Sequence, residues 1–205
     1  MTATILIMLL ALPPGFVNIT PGPDFKGWHP SQVNHHGNTR AWEVEKGVVS
    51  VTQDKPGNGG ILLTDKKYRN FEIYLEMNPD FGCDSGLFLR SSEKGEAYQV
   101  MLDYLEKGNL GGIYGERLEG VKGARGDWEK AWKKGEWNSL RARIEGEAPH
   151  ITVWMNDVQI TDWTDTANHA AGGAGEGMIA LQIHGGDRCK PGLHHRFRNI
   201  GVKEF

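Results

Sequence analysis

The chain has 205 residues, which suits one large domain able to bury a core without metal or disulfide staples. Its formal net charge of −3 offers no basic face for a phosphate backbone, which argues against a nucleic-acid partner. The 28 Gly and 9 Pro are scattered among apolar runs, so they mark turns between strands; no repeat and no linker divides the chain.

In chain order, the first feature is an apolar stretch from Ile5 to Leu12 that ends at Pro13-Pro14. It resembles the apolar region of a secretory signal and is too short to span a membrane. The n-region has no Lys or Arg and no small-x-small cleavage site follows, so an apolar N-terminal strand or a misplaced start is the alternative. The expectation is a leader over 1–15 and a single domain over 16–205, secreted or periplasmic. No other segment approaches membrane-spanning length.

Alternating apolar and polar residues then recur in short runs separated by Gly, Pro, Asn or Asp. Residues 42–53 read as a hairpin around Lys46-Gly47. In 71–77, Phe71, Ile73, Leu75 and Met77 share one face, with Glu72, Tyr74 and Glu76 on the other. Residues 85–91 and 97–104 follow, with a turn at Lys94-Gly95. Residues 127–134 predict the one helix: Asp127 caps it and Trp128, Ala131 and Trp132 lie at i, i+3 and i+4. Residues 138–146 and 150–163 pair, the second folding back at Asn156-Asp157, and 177–185 and 194–205 close the chain. Many short strands with one short helix predict an all-β, two-sheet jelly-roll sandwich.

Four stretches taken in order resemble the 3-keto-disaccharide hydrolase domain family. They are FKGWHP with WEVEKGVV, then ILLTDKKYRNFEIYLEM running into DSGLFLRS, then GEWNSLRARIEG with ITVWMNDVQITDW, and last GMIALQIHGG with FRNIGVKEF. The resemblance implies a sandwich of the concanavalin A-like lectin/glucanase type, usually exported by bacteria and acting on sugars. The chain departs from the family's Tyr-Glu-x-Gln at Tyr98-Gln99-Val100-Met101, where an amide replaces a carboxylate. The family's Asn before Ser-Gly is Asp84 here, and an extra loop runs from His184 to Phe197.

The alternation assigns Glu76, Arg90, Gln99, Asp103, Gln182 and His184 to one polar face. Carboxylates and amides exchange hydrogen bonds with sugar hydroxyls in both directions, and Trp28, Trp42 or Tyr114 would stack on a sugar ring. With Asp84, these form the expected substrate site. The competing reading is a solvated sheet face with ordinary cross-strand ion pairs. Cys83 and Cys189 are either a disulfide, in an exported protein, or two independent thiols; a bridge would tie loops 80–84 and 185–195 together. No cofactor is expected. A divalent metal, structural or catalytic, stays open through one histidine from each of the pairs His35-His36 and His194-His195 with Asp187 or Asp84. The two histidines of either pair are not expected to share an ion, because strand neighbours point to opposite faces.

The family resemblance implies a glycosidase acting on 3-keto-glycosides by elimination and hydration. Asp103 or Glu76 would be the base, Arg90 would stand near the oxyanion and His184 would move the proton. The paired-carboxylate string Glu-x-Asp-x-Glu of laminarinase-type sandwiches is absent. The alternative is a non-catalytic, lectin-like carbohydrate-binding module on the same face.

Overall fold

The computed structural model describes residues 12–80 and 82–205; apart from Leu12, the apolar stretch expected as a leader lies outside them. Two antiparallel sheets make a sandwich. The larger, of eight strands, contains β1 (Val17–Asn18), β3 (Trp42–Glu45), β4 (Val48–Val51), β6 (Phe71–Met77), β10 (Asn138–Glu145), β11 (His150–Met155), β12 (Val158–Thr164) and β14 (His195–Glu204). The smaller, of six, contains β2 (Trp28–Pro30), β5 (Gly60–Tyr68), β7 (Ser85–Ser91), β8 (Ala97–Met101), β9 (Ile113–Glu116) and β13 (Gly177–Ile183). The orders are β12-β11-β10-β6-β14-β4-β3, with β1 beside β14, and β2-β5-β13-β7-β8-β9.

The core lies between the sheets and follows the period-two pattern. The larger sheet contributes Phe71, Ile73, Leu75, Met77, Leu140, Ala142, Ile144, Ile151 and Val153; the smaller contributes Leu87, Leu89, Tyr98, Val100, Ile179 and Leu181. A second apolar cluster of Ile61, Leu63, Phe88, Ala97, Met178 and Ala180 lies on the opposite face of the smaller sheet. Hairpin β3–β4 turns at Lys46-Gly47 (φ 50° and 78°) and β11–β12 at Asn156-Asp157 (φ 48° and 65°). Positive φ at both central residues marks the type I′ turn, whose twist matches that of the flanking strands.

The helix expected over 127–134 is not formed. The chain stays extended to Asp127, whose N–H donates to the Ile160 carbonyl, and then makes one turn in which Ala131 and Trp132 donate to Trp128. The carbonyls that would continue a helix are taken by side chains: Asn156 donates to Ala131 O (2.8 Å) and Asn138 donates to Lys133 O (2.8 Å). Trp128 and Ala131 are buried as the spacing requires, so the apolar pattern is served by a turn. Short 3-10 turns occur instead at Ala171–Gly173 and Gly186–Arg188.

Candidate functional site

The outer face of the six-stranded sheet carries Gln182 and, on a loop beside it, His36, two of the residues whose buried polar atoms have no hydrogen-bond partner. The ladder registers set the residues of this face in rows. Phe88 pairs with Gln99, which pairs with Tyr114, and Gln182 pairs with Gly86, which pairs with Met101. Directly paired residues point to the same side, so Gln99, Gln182 and Tyr114 share the face with Phe88 and Ala180. Tyr114 is half-exposed, and its ring is available to pack on a ligand.

At the centre, two amides meet over a glycine. A Cβ added to Gly86 would stand 2.4 Å from Gln99 Nε2 and 3.0 Å from Gln182 Oε1. Residue 86 is thus where a side chain would displace both amides. Gln182 is wholly buried, and neither its Nε2 nor its Oε1 has a hydrogen-bond partner. A buried amide left unpaired costs about 1–3 kcal/mol, so it is a group in want of a ligand.

One row further on lie Asp84, Asp103 and His184. The His184 N–H donates to Asp84 O at 3.4 Å, and Leu102 N–H donates to Ser85 O. The ring Nδ1 of His184 donates to Gly185 O at 2.7 Å, which leaves Nε2 as the lone-pair nitrogen. Arg188 spans the two carboxylates: Nε donates to Asp84 Oδ2 (3.1 Å) and Nη2 to Asp103 Oδ2 (2.5 Å). Burial, then the like charge of Asp103, pushes the Asp84 carboxyl up to about 6 against the pull of Arg188. A disulfide joins Cys83, which directly precedes Asp84, to Cys189, which directly follows Arg188, and so ties the 185–195 loop to the strand end.

The loop before β3 covers another part of the face. The ring of His36 lies 5.8 Å from that of Phe88 and 6.0 Å from that of His184. His35 Nε2 stands 2.9 Å from a Glu116 carboxylate oxygen, and His36 Nε2 stands 3.9 Å from it. Burial holds His36 well below the usual histidine range, at about 3, and raises Glu116. Contrary to expectation, both neighbours His35 and His36 turn toward one carboxylate, because they sit in a loop where strand alternation does not apply. The expected cross-pair metal arrangement is not formed: His194 lies beside Asp80, and His195 is fully buried on β14.

Several predicted site residues lie elsewhere. Glu76 is on β6 of the other sheet, where Arg198 Nε (2.6 Å) and Asn199 Nδ2 (3.0 Å) donate to it. Arg90 sits at a bulge with φ 52°, which removes it from the strand alternation. Its guanidinium donates to the carbonyls of Arg69 (2.8 Å) and Gly146 (3.1 Å) and to Asn70 Oδ1 (3.1 Å), stapling the β5–β6 crossing between the sheets to the β10–β11 turn. Trp28 and Trp42 are buried in the main core, Trp28 donating its Nε1 to Ile19 O, so neither presents a ring for stacking. Sequence reasoning missed Arg188, Gly86 and Glu116. Arg188 carried a signal, since it and Asp84 flank the two cysteines; Glu116 lies on a four-residue strand among glycines and carried none.

The fold has parallels among known proteins. A curated 3-keto-disaccharide hydrolase from Bacteroides thetaiotaomicron is 24% identical over a 248-residue alignment covering 92% of this chain and 78% of that protein. The carbohydrate binding module CBM66 from Bacillus subtilis shares the fold at TM-score 0.59 and 14% identity, covering 87% of this chain and 96% of that one. A prokaryotic beta-1,3-1,4-glucanase (lichenase) from a mouse hindgut metagenome does so at TM-score 0.58 and 13% identity, with 87% and 93% covered. The 3-keto-alpha-glucoside-1,2-lyase-like domain matches residues 15–203, and the chain belongs to that family.

Proposed function

We propose that the outer face of the six-stranded sheet binds a 3-keto-glycoside and cleaves it by elimination followed by hydration. The observation that carries this reading is the buried, unpartnered Gln182 amide beside that of Gln99, in one patch with His184 and the Asp84–Asp103–Arg188 cluster. An amide pair offers a donor and an acceptor to sugar hydroxyls, and Tyr114 would lie along the ring.

A ketone at C3 acidifies the C2 proton. His184 Nε2 takes that proton, the C1–O bond breaks, and the same proton, or one from water, leaves with the aglycone oxygen. Water then adds across C1=C2, its hydroxyl to C1 and its proton to C2, giving the free 3-keto sugar. Arg188 is the cation on hand for enolate charge. His184 is given the base's role in place of Asp103, whose Oδ2 is held by Arg188 and whose Oδ1 accepts from Leu105 N–H. Secretion or a periplasmic location fits the Cys83–Cys189 bridge, since disulfides persist in oxidising compartments.

A second reading, a binding module without turnover, is favoured by one feature: residue 99 is an amide, which holds hydroxyls but takes no proton. Incubating the protein with a 3-keto-disaccharide, with product followed by NMR and binding by calorimetry, separates the two. Turnover lost in His184→Ala with binding kept supports the enzyme. Binding by wild type with no product establishes the module.

A further inference from the structure

We propose that His35, His36 and Glu116 form a site for a first-row divalent cation of the Zn²⁺ type on the outer face of the six-stranded sheet. Their candidate ligand atoms all lie within 4.8 Å of one another, and Glu116 stands 2.9 Å and 3.9 Å from the two imidazole nitrogens. Ligands about 2.0–2.2 Å from one ion stand roughly 3–3.5 Å apart, so closing the site needs shifts of under about 1 Å.

An independent observation points the same way. The His36 side chain is only 7% exposed, and its Nε2 is buried with no hydrogen-bond partner, aimed at the carboxylate. A neutral imidazole nitrogen without a partner is a lone pair or an N–H left unmet, which a metal satisfies and a distant carboxylate does not. Burial keeps this ring neutral, the form that ligates.

The loop is built to hold the pair. Ser31 Oγ accepts from Val33 and Asn34 N–H groups and donates to Glu93 O at 2.7 Å. Asn34 accepts from His36 N–H through its side-chain oxygen and donates to Gly37 O. Gly37 follows at φ 120°, where a Cβ would stand 2.6 Å from Asn58 Oδ1; no other residue lets the loop close there. Two imidazoles and one carboxylate select Zn²⁺ or a neighbouring transition metal over Ca²⁺ and Mg²⁺, which prefer oxygen ligands. Three protein ligands leave a coordination position for water or substrate. If the sugar reading holds, an ion there would polarise the 3-keto oxygen alongside Arg188; the metal site itself stands without that reading.

The test is metal binding by the whole protein after chelator dialysis, with Zn²⁺ titrated by calorimetry and stoichiometry checked by elemental analysis. One equivalent is expected in wild type. The near-isosteric Glu116→Gln and the exposed-site His35→Ala should each weaken it at least tenfold, while His150→Ala on the other sheet leaves it unchanged. No binding in wild type, or equal binding in Glu116→Gln, overturns the proposal. Sugar turnover and metal binding are read separately, so a protein that binds no Zn²⁺ yet processes sugar sinks only the metal site, and a protein that binds one Zn²⁺ yet is inert to sugar sinks only the functional reading.

Discussion

Replacing His195 by leucine tests the energetic reading of the core at a residue far from any chemistry. His195 is fully buried on β14, opposite Val51 of β4, with its ring stacked 4.5 Å from that of Phe197. Neither ring nitrogen has a hydrogen-bond partner. Burial, with a contribution from the Arg196 charge, pulls the ring down from 6.5 to about 3. The folded protein therefore keeps the ring neutral while the unfolded chain protonates it below 6.5. Stability from this residue is complete above pH 6.5 and is lost as pH falls toward 3. The loss runs at about 1.4 kcal/mol per pH unit, or about 2 kcal/mol between neutrality and pH 5. Leucine is close in volume and does not titrate. At pH 7.5 His195→Leu is expected to equal wild type or exceed it by about 1–2 kcal/mol, since two unmet polar atoms are removed. Urea unfolding of both proteins at pH 7.5, 6.5, 5.5 and 5.0, with the disulfide intact, reads the difference. The gap should widen by about 2 kcal/mol toward pH 5. Parallel stability profiles would refute the reasoning, because they require an imidazole that is either partnered or already charged in the fold.

Gly86→Ala should leave unfolding free energy within about 1 kcal/mol of wild type, since only flexible amide ends must move, yet weaken sugar binding at least tenfold in calorimetry. Unchanged affinity would remove the amide pair from the site. Arg90→Met should cost about 2–4 kcal/mol in urea unfolding, because it strands the Arg69 and Gly146 carbonyls, while ligand affinity in the folded fraction stays as in wild type. Cys83→Ser/Cys189→Ser opens a link between residues 106 apart and is expected to cost up to about 4–5 kcal/mol. It should also raise KM more than it lowers the stability-corrected kcat, since Arg188 loses its anchor; equal KM would make the bridge a matter of stability alone.

The sandwich was legible because it depends on local rules. The alternation in 71–77 and 138–145 predicts core faces that the structure fills with Phe71, Ile73, Leu75, Leu140 and Ala142. Gly47, Asn156 and Asp157 are residue types that tolerate positive φ, so both hairpins could be placed. The site was only half legible, for a non-local reason. Period-two alternation says which residues of a strand share a side but not which sheet the strand joins. β6 and β7 are consecutive in sequence yet belong to different sheets, so Glu76 and Gln99 have outward faces on opposite sides of the molecule. Arg90 failed for a second reason: one bulged residue in a left-handed conformation breaks the alternation, and Arg is not a residue type that announces such a position. The helix over 127–134 failed because Asn138 and Asn156, outside the window, capture its carbonyls.

The pattern of met and unmet hydrogen bonds on the outer face constrains the ligand more tightly than the residue types alone. Every carboxylate there faces a committed partner: Asp84 and Asp103 share Arg188, and Glu116 faces His35. At the aspartate end of the face an incoming cation would compete with Arg188, and an incoming anion would meet the aspartates behind it. Outside the His35–His36–Glu116 cluster, what is left open is neutral: the Gln182 amide with neither atom bonded, and the Nε2 side of His184, whose other nitrogen is fixed by Gly185. Groups of that kind pair with hydroxyls and ketones, which carry donor and acceptor without charge. The same compensation explains how an amide can stand at residue 99 without emptying the site of function. A carboxylate there would be a further buried charge on the face that holds Asp84, whose ionisation is already resisted by burial and by Asp103, and the face would have to find it a cation. A Gln99→Glu variant is thus expected to bind a neutral sugar more weakly, with the loss larger at pH 8 than at pH 5. An affinity that rises with pH in that variant would mean that the face is tuned for charge after all.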